Sequence, residues 1–388
     1  MSGIVLSAAV RQNLLSLQDT ASLLSTTQNR LATGNKVNSA LDNPTNFFTA
    51  QGLDNRASDI NNLLDSIGNG VQVLQAANTG LTSLQKLVDT AKSIANQVLQ
   101  APAGYTAKST STSTTLVGTA SAANLVDGVG FTANQTLAIA ASGELPAITV
   151  TFGATESLDQ LNTSLAAGGL TASIDSSNHL VISTTNDYAG QTIGTITPGS
   201  TPGTTTFGAA TAPTADAASQ AIRTSLVGQY NNIITQITTT SQDSSFNGIN
   251  LLNGDNLKLT FDETGKSTLN ITGVTYDAAG LGLGSLTSGT DFLDNASANA
   301  TLTKLGAAST TLRTEASALG SNLSVVQLRQ DFNKSLINVL QTGSSNLTLA
   351  DANQEAANSQ ALSTRQSIAV SALSLANQSQ QSVLQLLR

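Results

Sequence analysis

The sequence contains no cysteine, no tryptophan and a single histidine, His179, among its 388 residues. Without cysteine there are no disulfides, no thiolate nucleophile and no cysteine-bearing zinc site. One imidazole cannot supply a His-dependent triad or the usual zinc-hydrolase ligand set within one chain. Charge is also scarce, at 10% of residues, against roughly 25% in an ordinary globular protein. The net charge of −8 gives no electrostatic reason to expect nucleic acid or an anionic membrane as a partner. No run approaches the ~20 apolar residues of a membrane-spanning helix, so no membrane insertion is expected. The opening "MSGIVLSAAVRQ" has no cationic stretch before its short apolar run and does not read as a cleaved secretory signal.

Motifs that would carry chemistry are equally sparse. "GLGLG" at 280–284 lacks the GxGxxG order and a following helix, and reads as a flexible connector. No phosphate loop or calcium loop appears. Asp262–Glu263 reads as a solvated turn, and His179 falls on an expected hairpin strand with no second ligand. The expectation is no cofactor, no metal and no enzyme. Only Ser- or carboxylate-based chemistry without histidine stays open.

What the chain does have is periodicity. Ile60, Ile67, Leu74, Leu81, Val88 and Ala95 recur every seven residues, and Leu63, Gly70, Ala77, Leu84, Ala91 and Val98 follow each by three. Unbroken heptads of this kind predict a long helix in a bundle or coiled coil. Val10, Leu14, Leu17, Ala21, Leu24 and Leu31 form a similar stripe near the N-terminus. Leu312, Ala316, Leu319, Leu323, Val326, Ile337 and Leu340 share a face in the C-terminal third, interrupted by Gln330 and Asn333. A break is expected at "QTGSSNLT", with a last helix starting near Leu349. Residues 219–240 read as a shorter helix with Ile222, Leu226, Ile233 and Ile237 on one side.

The middle differs in kind. Between Lys108 and Arg223 there is no lysine or arginine, while Asp127, Glu144, Glu156, Asp159, Asp175, Asp187 and Asp216 fall there. "ITVTF" at 148–152 alternates as a strand does. "SLDQLNTSLAAGG" at 157–169 reads as a short helix, with Ser157 and Gln160 at capping-box spacing. "LTASIDSSNHLVIST" at 170–184 reads as a hairpin turning at Asp175–Asn178. The segments 109–115 and 197–214 read as Ser/Thr/Gly/Pro-rich linkers around this inserted domain. A second hairpin is expected at 257–271, with Leu257, Leu259 and Phe261 facing Leu269 and Ile271. The fold class is mainly α: a long antiparallel helical bundle or coiled coil from both chain ends, with a β-hairpin and an inserted small, β-rich α+β domain.

The chain ends in "SVLQLLR", an apolar stripe that stops without a cover. Burying the aliphatics of the last helix does not offset the entropy of ordering it alone. Val370 and Leu373 lie off the Ile368–Leu375 line, so two paired terminal helices still leave apolar edges bare. Other copies of the chain can cover them, which points to a homopolymer whose ends fold on assembly. The expected subunit contacts are Val10, Leu14, Leu17, Leu24 and Leu31 at one end. At the other they are Ile368, Leu375, Val383, Leu384, Leu386 and Leu387.

Three segments also resemble one family, in the right order. "QNRLATGNKVNSALDNP" at 28–44, "FNGINLL" at 246–252 and "LANQSQQSVLQLLR" at 375–388 resemble the bacterial flagellins, over roughly residues 1–101 and 219–388. The resemblance implies a motility filament: extracellular, helical, and built from subunits exported by a type III route. It implies an inner tube from 1–44 plus 346–388, a helical second domain from 45–101 plus 219–345 with the 257–271 hairpin, and an exposed insert at 102–218. It further implies an export chaperone at the C-terminus and cap and hook-junction proteins as partners. "NPTNFFTA" at 43–50 departs from the family's usual continuation. The region resembling its innate-immune receptor site keeps Gln85, Lys86 and Asp89, but has Thr90 where an aliphatic is usual and Gln229 where an acid is usual. A hook–filament junction protein and a secreted adhesin on a helical stalk are the alternatives to a filament subunit.

Overall fold

A computed structural model describes residues 8–114, 122–126, 131–199 and 205–386. Its elements in chain order begin with helices α1 (Ala8–Thr33) and α2 (Pro44–Gln100). Strands β1 (Tyr105–Ala107), β2 (Thr110–Thr112), β3 (Thr136–Ile139) and β4 (Ile148–Thr151) follow. Helix α3 (Leu158–Ala166), strands β5 (Leu170–Ile174) and β6 (Leu180–Thr184), a 3-10 turn (Asn186–Tyr188) and strands β7 (Ile196–Pro198) and β8 (Thr214–Ala215) complete the middle. Helix α4 (Ala217–Asp243), hairpin strands β9 (Asn256–Thr260) and β10 (Thr268–Thr272), and helices α5 (Asn295–Thr348) and α6 (Ala352–Leu386) close the chain. Both the mainly helical class and the small β-rich middle agree with the sequence reading.

The chain divides into two compact units. One comprises Met1–Val71, Lys258–Leu269 and Val325–Arg388; the other comprises Gln72–Leu257 and Asn270–Ser324.

Helix α2 starts where the sequence supplies both halves of a start signal. Asn43 caps it by accepting from Asn46 N at 3.0 Å, and Pro44 takes the first helical position, where its missing N–H costs nothing. Most of its heptad positions are deeply buried: Ile67, Ala77, Leu81, Leu84, Val88, Ala91, Ala95 and Val98 are all at 0% exposure. Gly70 occupies a heptad position because Leu259 presses against it; a Cβ there would sit 2.3 Å from the Leu259 Cδ2 atom.

Three sequence expectations about the helices need correction. Helix α5 runs unbroken through "QTGSSNLT" to Thr348, and the interruption is confined to 349–351. Weak helix formers lower propensity, but they do not end a helix whose Ile337, Leu340 and Ser344 are buried. On α4 the buried face comprises Arg223, Leu226, Val227, Tyr230, Ile234 and Ile237. Ile222, expected inside, is 52% exposed, because the inward stripe lies one residue round the helix. Asn333, read as an interruption of the α5 stripe, is buried and donates to the Phe261 carbonyl at 3.0 Å. It satisfies the end of the β9–β10 hairpin where a leucine could not.

"FNGINLL" closes α4. Asn247 and Gly248 take positive φ (49° and 81°), so that Phe246 and Ile249 exchange backbone hydrogen bonds of 3.0 Å. Asn250 then donates to the carbonyls of Ser241 and Gln242, both at 2.8 Å, acceptors that the helix end otherwise leaves unpaired. "GLGLG" is no free connector. Leu281 and Leu283 are buried, and their amides donate to the carbonyls of Asp277 and Ala278.

The inserted middle holds two antiparallel three-stranded sheets, ordered β2-β6-β5 and β4-β3-β7. They share a core with α3 that includes Leu137, Phe152, Leu161 and Ile182, and Phe131 stacks on Phe152 with ring centroids 4.7 Å apart. The capping box of α3 forms as expected: Gln160 N donates to the Ser157 hydroxyl and Ser157 N to the side-chain Oε1 of Gln160. The β5–β6 hairpin turns at Asp175–Asn178, Asn178 being left-handed at φ 65°.

Of the Ser/Thr-rich segments expected as linkers, residues 109–114 and 206–211 adjoin the first of these sheets, while Thr115 and 200–204 lie outside the described residues. Along "STSTST" at 109–114 the serines point in and the threonines out: Ser109, Ser111 and Ser113 are 0%, 2% and 3% exposed. Ser109 Oγ accepts from Ile193 N (3.0 Å), Ser113 Oγ accepts from Leu180 N (3.0 Å), and Ser111 Oγ donates to the Gly208 carbonyl (2.8 Å). Residues 206–211 run along the other edge of β2, where Gly208 N and Thr211 N donate to the Thr112 and Thr110 carbonyls. An alternation of two hydroxyl residues has the period of a strand, but hydropathy cannot see it.

Candidate interaction surface

Helix α1 packs along α6. Their lower ends are tied by short range geometry: Ala350 N donates to the Gly34 carbonyl (2.9 Å) and Lys36 N to the Thr348 carbonyl (2.7 Å). Lys36 Nζ adds a bond to the Asn346 carbonyl at 3.3 Å. Above this joint Arg30 reaches Glu355 across the pair, Nη1 to Oε1 at 3.3 Å. Arg30 Nε and Glu355 Oε2 are buried there without a partner of their own.

The pair buries little that is apolar. On α1 the buried side chains are Val10, Thr20 and Thr27, and on α6 Glu355 is the one buried among those described. Of the expected contact residues, Val10 is buried at 3% exposure, Leu17 and Leu24 are half-buried, and Leu14 and Leu31 are exposed at 38% and 44%. Ile368 and Leu375 are more open still, at 64% and 69%. Val383, Leu384 and Leu386 fall on α6, but their side chains, like Leu387, lie outside the described residues.

Sequence reading missed a further stripe. Val325, Leu328, Phe332 and Val339 on α5 are 43–71% exposed and share one side by their spacing of three, four and seven. That spacing was legible, but the stripe lies beside the inward one and reads as its shoulder. Exposed Phe48, packed edge-on to Phe47, is the aromatic of the "NPTNFFTA" departure.

Of the receptor-like region, Thr90 and Gln229 share one groove between α2 and α4. Gln85 is half-buried, Lys86 and Asp89 are exposed on α2, and Gln229 is exposed on α4. Gln229 and Thr90 line an uncharged groove with Ser93, Ile94, Gln97, Asn232 and Ile233, of about 390 Å³. Asp89 pairs with Lys92 at 3.8 Å. His179 places Nδ1 2.8 Å from the Ser113 carbonyl, as one more sheet contact. Among the described residues no group of three or more His, Cys, Asp or Glu could hold a metal ion, and no helix is long and apolar enough to cross a membrane.

Charge is replaced by self-satisfied hydroxyls. Thr82, Thr90, Thr310, Thr314 and Ser371 each donate to the carbonyl four residues earlier on their own helix. Four ion pairs occur among the described residues. Such a surface carries little charge, and these hydroxyls are already bonded within their own helices.

Both paired helices, α1 and α6, leave apolar side chains open. Known proteins with similar terminal regions exist. Residues 5–126 match the bacterial flagellin N-terminal helical region, and residues 302–387 match the bacterial flagellin C-terminal helical region. Flagellin FljM of Caulobacter vibrioides is 32% identical over 164 residues, covering 42% of this chain and 59% of the relative. Flagellin FljK of the same organism is 31% identical over the same length, and flagellin A of Rhizobium meliloti is 37% identical over 93 residues, or 24% of each chain. The chain belongs to the bacterial flagellin family. The match spans 59% of the length of the Caulobacter relatives FljM and FljK.

Proposed function

We propose that this chain is the structural subunit of a bacterial flagellar filament, polymerising through α1 and α6 and serving motility outside the cell. The observation that carries the reading is the pairing of two family-matched terminal regions with apolar residues left bare on both paired helices. Val10, Leu14, Leu17, Leu24, Leu31, Ile368, Leu375, Val383, Leu384, Leu386 and Leu387 form the subunit contact in this reading. Segments 1–44 and 346–388 line the inner tube, 45–101 and 219–345 form the second shell, and 102–218 faces solvent. Export by a flagellar type III route, a chaperone on the C-terminal helix, and cap and hook-junction proteins belong to the same proposal. No catalytic role is part of it, and neither is receptor recognition, since Thr90 and Gln229 replace the apolar and acidic groups expected there.

The test is polymerisation of purified protein after a salt jump, followed by electron microscopy. Wild type is expected to give helical filaments, and removal of Ser379–Arg388 is expected to abolish them while the far-UV circular dichroism of the remaining helices persists. Normal filaments from the truncated chain would sink the assignment of α6 to the contact. Abundance in sheared flagella separates a filament subunit from a junction protein present in few copies.

A further inference from the structure

Arg223 ends the long stretch without lysine or arginine, and it is 1% exposed. Burial of a guanidinium is costly unless its donors are met. Here four bonds from one side chain reach two segments beyond its own helix. Nε donates to the Pro102 carbonyl (2.8 Å) and Nη2 to the Ala101 carbonyl (3.2 Å), just past the end of α2. Nη1 donates to the Phe292 carbonyl (2.8 Å) and Nη2 again to Asn295 Oδ1 (3.2 Å), at the start of α5. The C-terminal end of α2, where the helix dipole is negative, faces this cation. Asp294 is buried beside it at 6% exposure and caps α5 by accepting from Ser297 N at 3.2 Å.

The same spot is the root of the inserted domain. β1 leaves α2 there and pairs with β8, which leads into α4, Tyr105 standing opposite Ala215. The Gly104 carbonyl accepts from Gln220 Nε2 (3.0 Å) and from Asp216 N (2.9 Å). Space at Gly104 is tight: a Cβ would lie 3.0 Å from the Leu293 carbonyl oxygen. Tyr105 in turn presses its hydroxyl end against Gly190 in the body of the insert, 2.6 Å from where a Cβ would be. Phe292 is fully buried with φ at 63°, a conformation that a bulky residue keeps only when its surroundings impose it. Its ring meets Tyr230 edge-on at 5.9 Å, and its carbonyl is one of the four acceptors of Arg223.

We infer that Arg223 is a latch: it locks the two-stranded root of the inserted domain onto the ends of α2 and α5, so the insert is a rigidly aimed arm and not a tethered bead. The contacts are directional and polar, and they join segments that each have a fold of their own on the far side. Loss of the fork admits water to the four acceptors and frees the root, while the insert's apolar core and the buried heptads of α2 are untouched. The inference does not depend on the filament reading.

The absence of cysteine makes the test clean. Ser176→Cys in the exposed β5–β6 turn and Gln236→Cys on the exposed side of α4 give two unique attachment points for nitroxide labels in the full-length chain. Pulsed dipolar spectroscopy should show one narrow distance distribution in the parent. In Arg223→Met it should broaden about twofold or split, as expected when a domain interface stops holding, with circular dichroism unchanged. Arg223→Lys, which keeps the charge but not the fork, should broaden it as well. An unchanged narrow distribution in either folded variant would overturn the latch. Global unfolding of both variants would also overturn it, since a latch leaves the two bodies intact.

Discussion

Leu74, Leu81, Leu84 and Val88 on α2 are at most 1% exposed, whereas Ile368, Val370 and Leu375 on α6 are 52–69% exposed. The residue types are alike, yet one set is a finished core and the other is left open. The difference lies in neighbours. Near α2 the chain supplies α4 beside Ile94 and Gln97, and Ser244 and Leu252 against Gly80. Around α6 it supplies α1, whose own inward positions include Thr20 and Thr27. A stripe therefore reports that a face is to be covered, but not whether its own chain provides the cover.

The sharpest way to break this comparison is hydrogen exchange on the monomer. Backbone amides of α2 between Leu74 and Val98 should exchange orders of magnitude more slowly than those of α6 between Ile368 and Leu375. Equal protection would mean that α1 and α6 are finished without partners. Truncation should tell the same story in energy. Leu81→Ala removes a fully buried side chain and is expected to cost about 2–5 kcal/mol in denaturant unfolding. Leu375→Ala should change monomer stability by less than about 0.5 kcal/mol, yet raise the critical concentration for assembly. A comparable loss of monomer stability from both would erase the distinction.

A smaller effect sharpens the contrast within the insert. Ser111→Ala removes the hydrogen bond to the Gly208 carbonyl and is expected to cost about 0.5–1.5 kcal/mol, read from thermal unfolding of the β signal. Thr112→Ala, one residue along and exposed, should be near neutral. If the two behave alike, the alternation is not what orders β2. The smallest effect at neutral pH is Tyr230→Phe. Burial pushes the Tyr230 phenol up to about 12. A proton held more tightly in the folded state contributes stability below the unfolded value near 10, and that contribution is lost as pH rises through about 12. Tyr230→Phe should be close to silent at pH 7 and should move the alkaline unfolding midpoint upward. An unmoved midpoint would show that alkali opens the protein elsewhere, with the less buried α1–α6 pair the first place to look.

Much of the molecule was legible because its signals are local. Heptads placed α2, Ser157 with Gln160 placed α3, and Asp175–Asn178 placed the β5–β6 turn, each through geometry fixed within a few residues. What failed were inferences about which neighbour an element meets. Ile222 was expected inside because it is apolar, while Arg223 next to it fills the inward position by hydrogen bonding. "STSTST" was expected to be a linker because hydroxyls are polar, while their partners at Ile193, Leu180 and Gly208 make them interior. The open side of α5 was hidden beside its closed side.

The sequence by itself determined the helices, their caps, the hairpins and the scarcity of charge, because torsional preference and side-chain period act over a turn or two of chain. Tertiary structure alone decided that Arg223 gathers Ala101, Pro102, Phe292 and Asn295 around one guanidinium, and that three serines belong to a core. Hydrogen bonds between segments some 70 to 120 residues apart are satisfied or lost according to how the chain packs, and no local pattern carries that information.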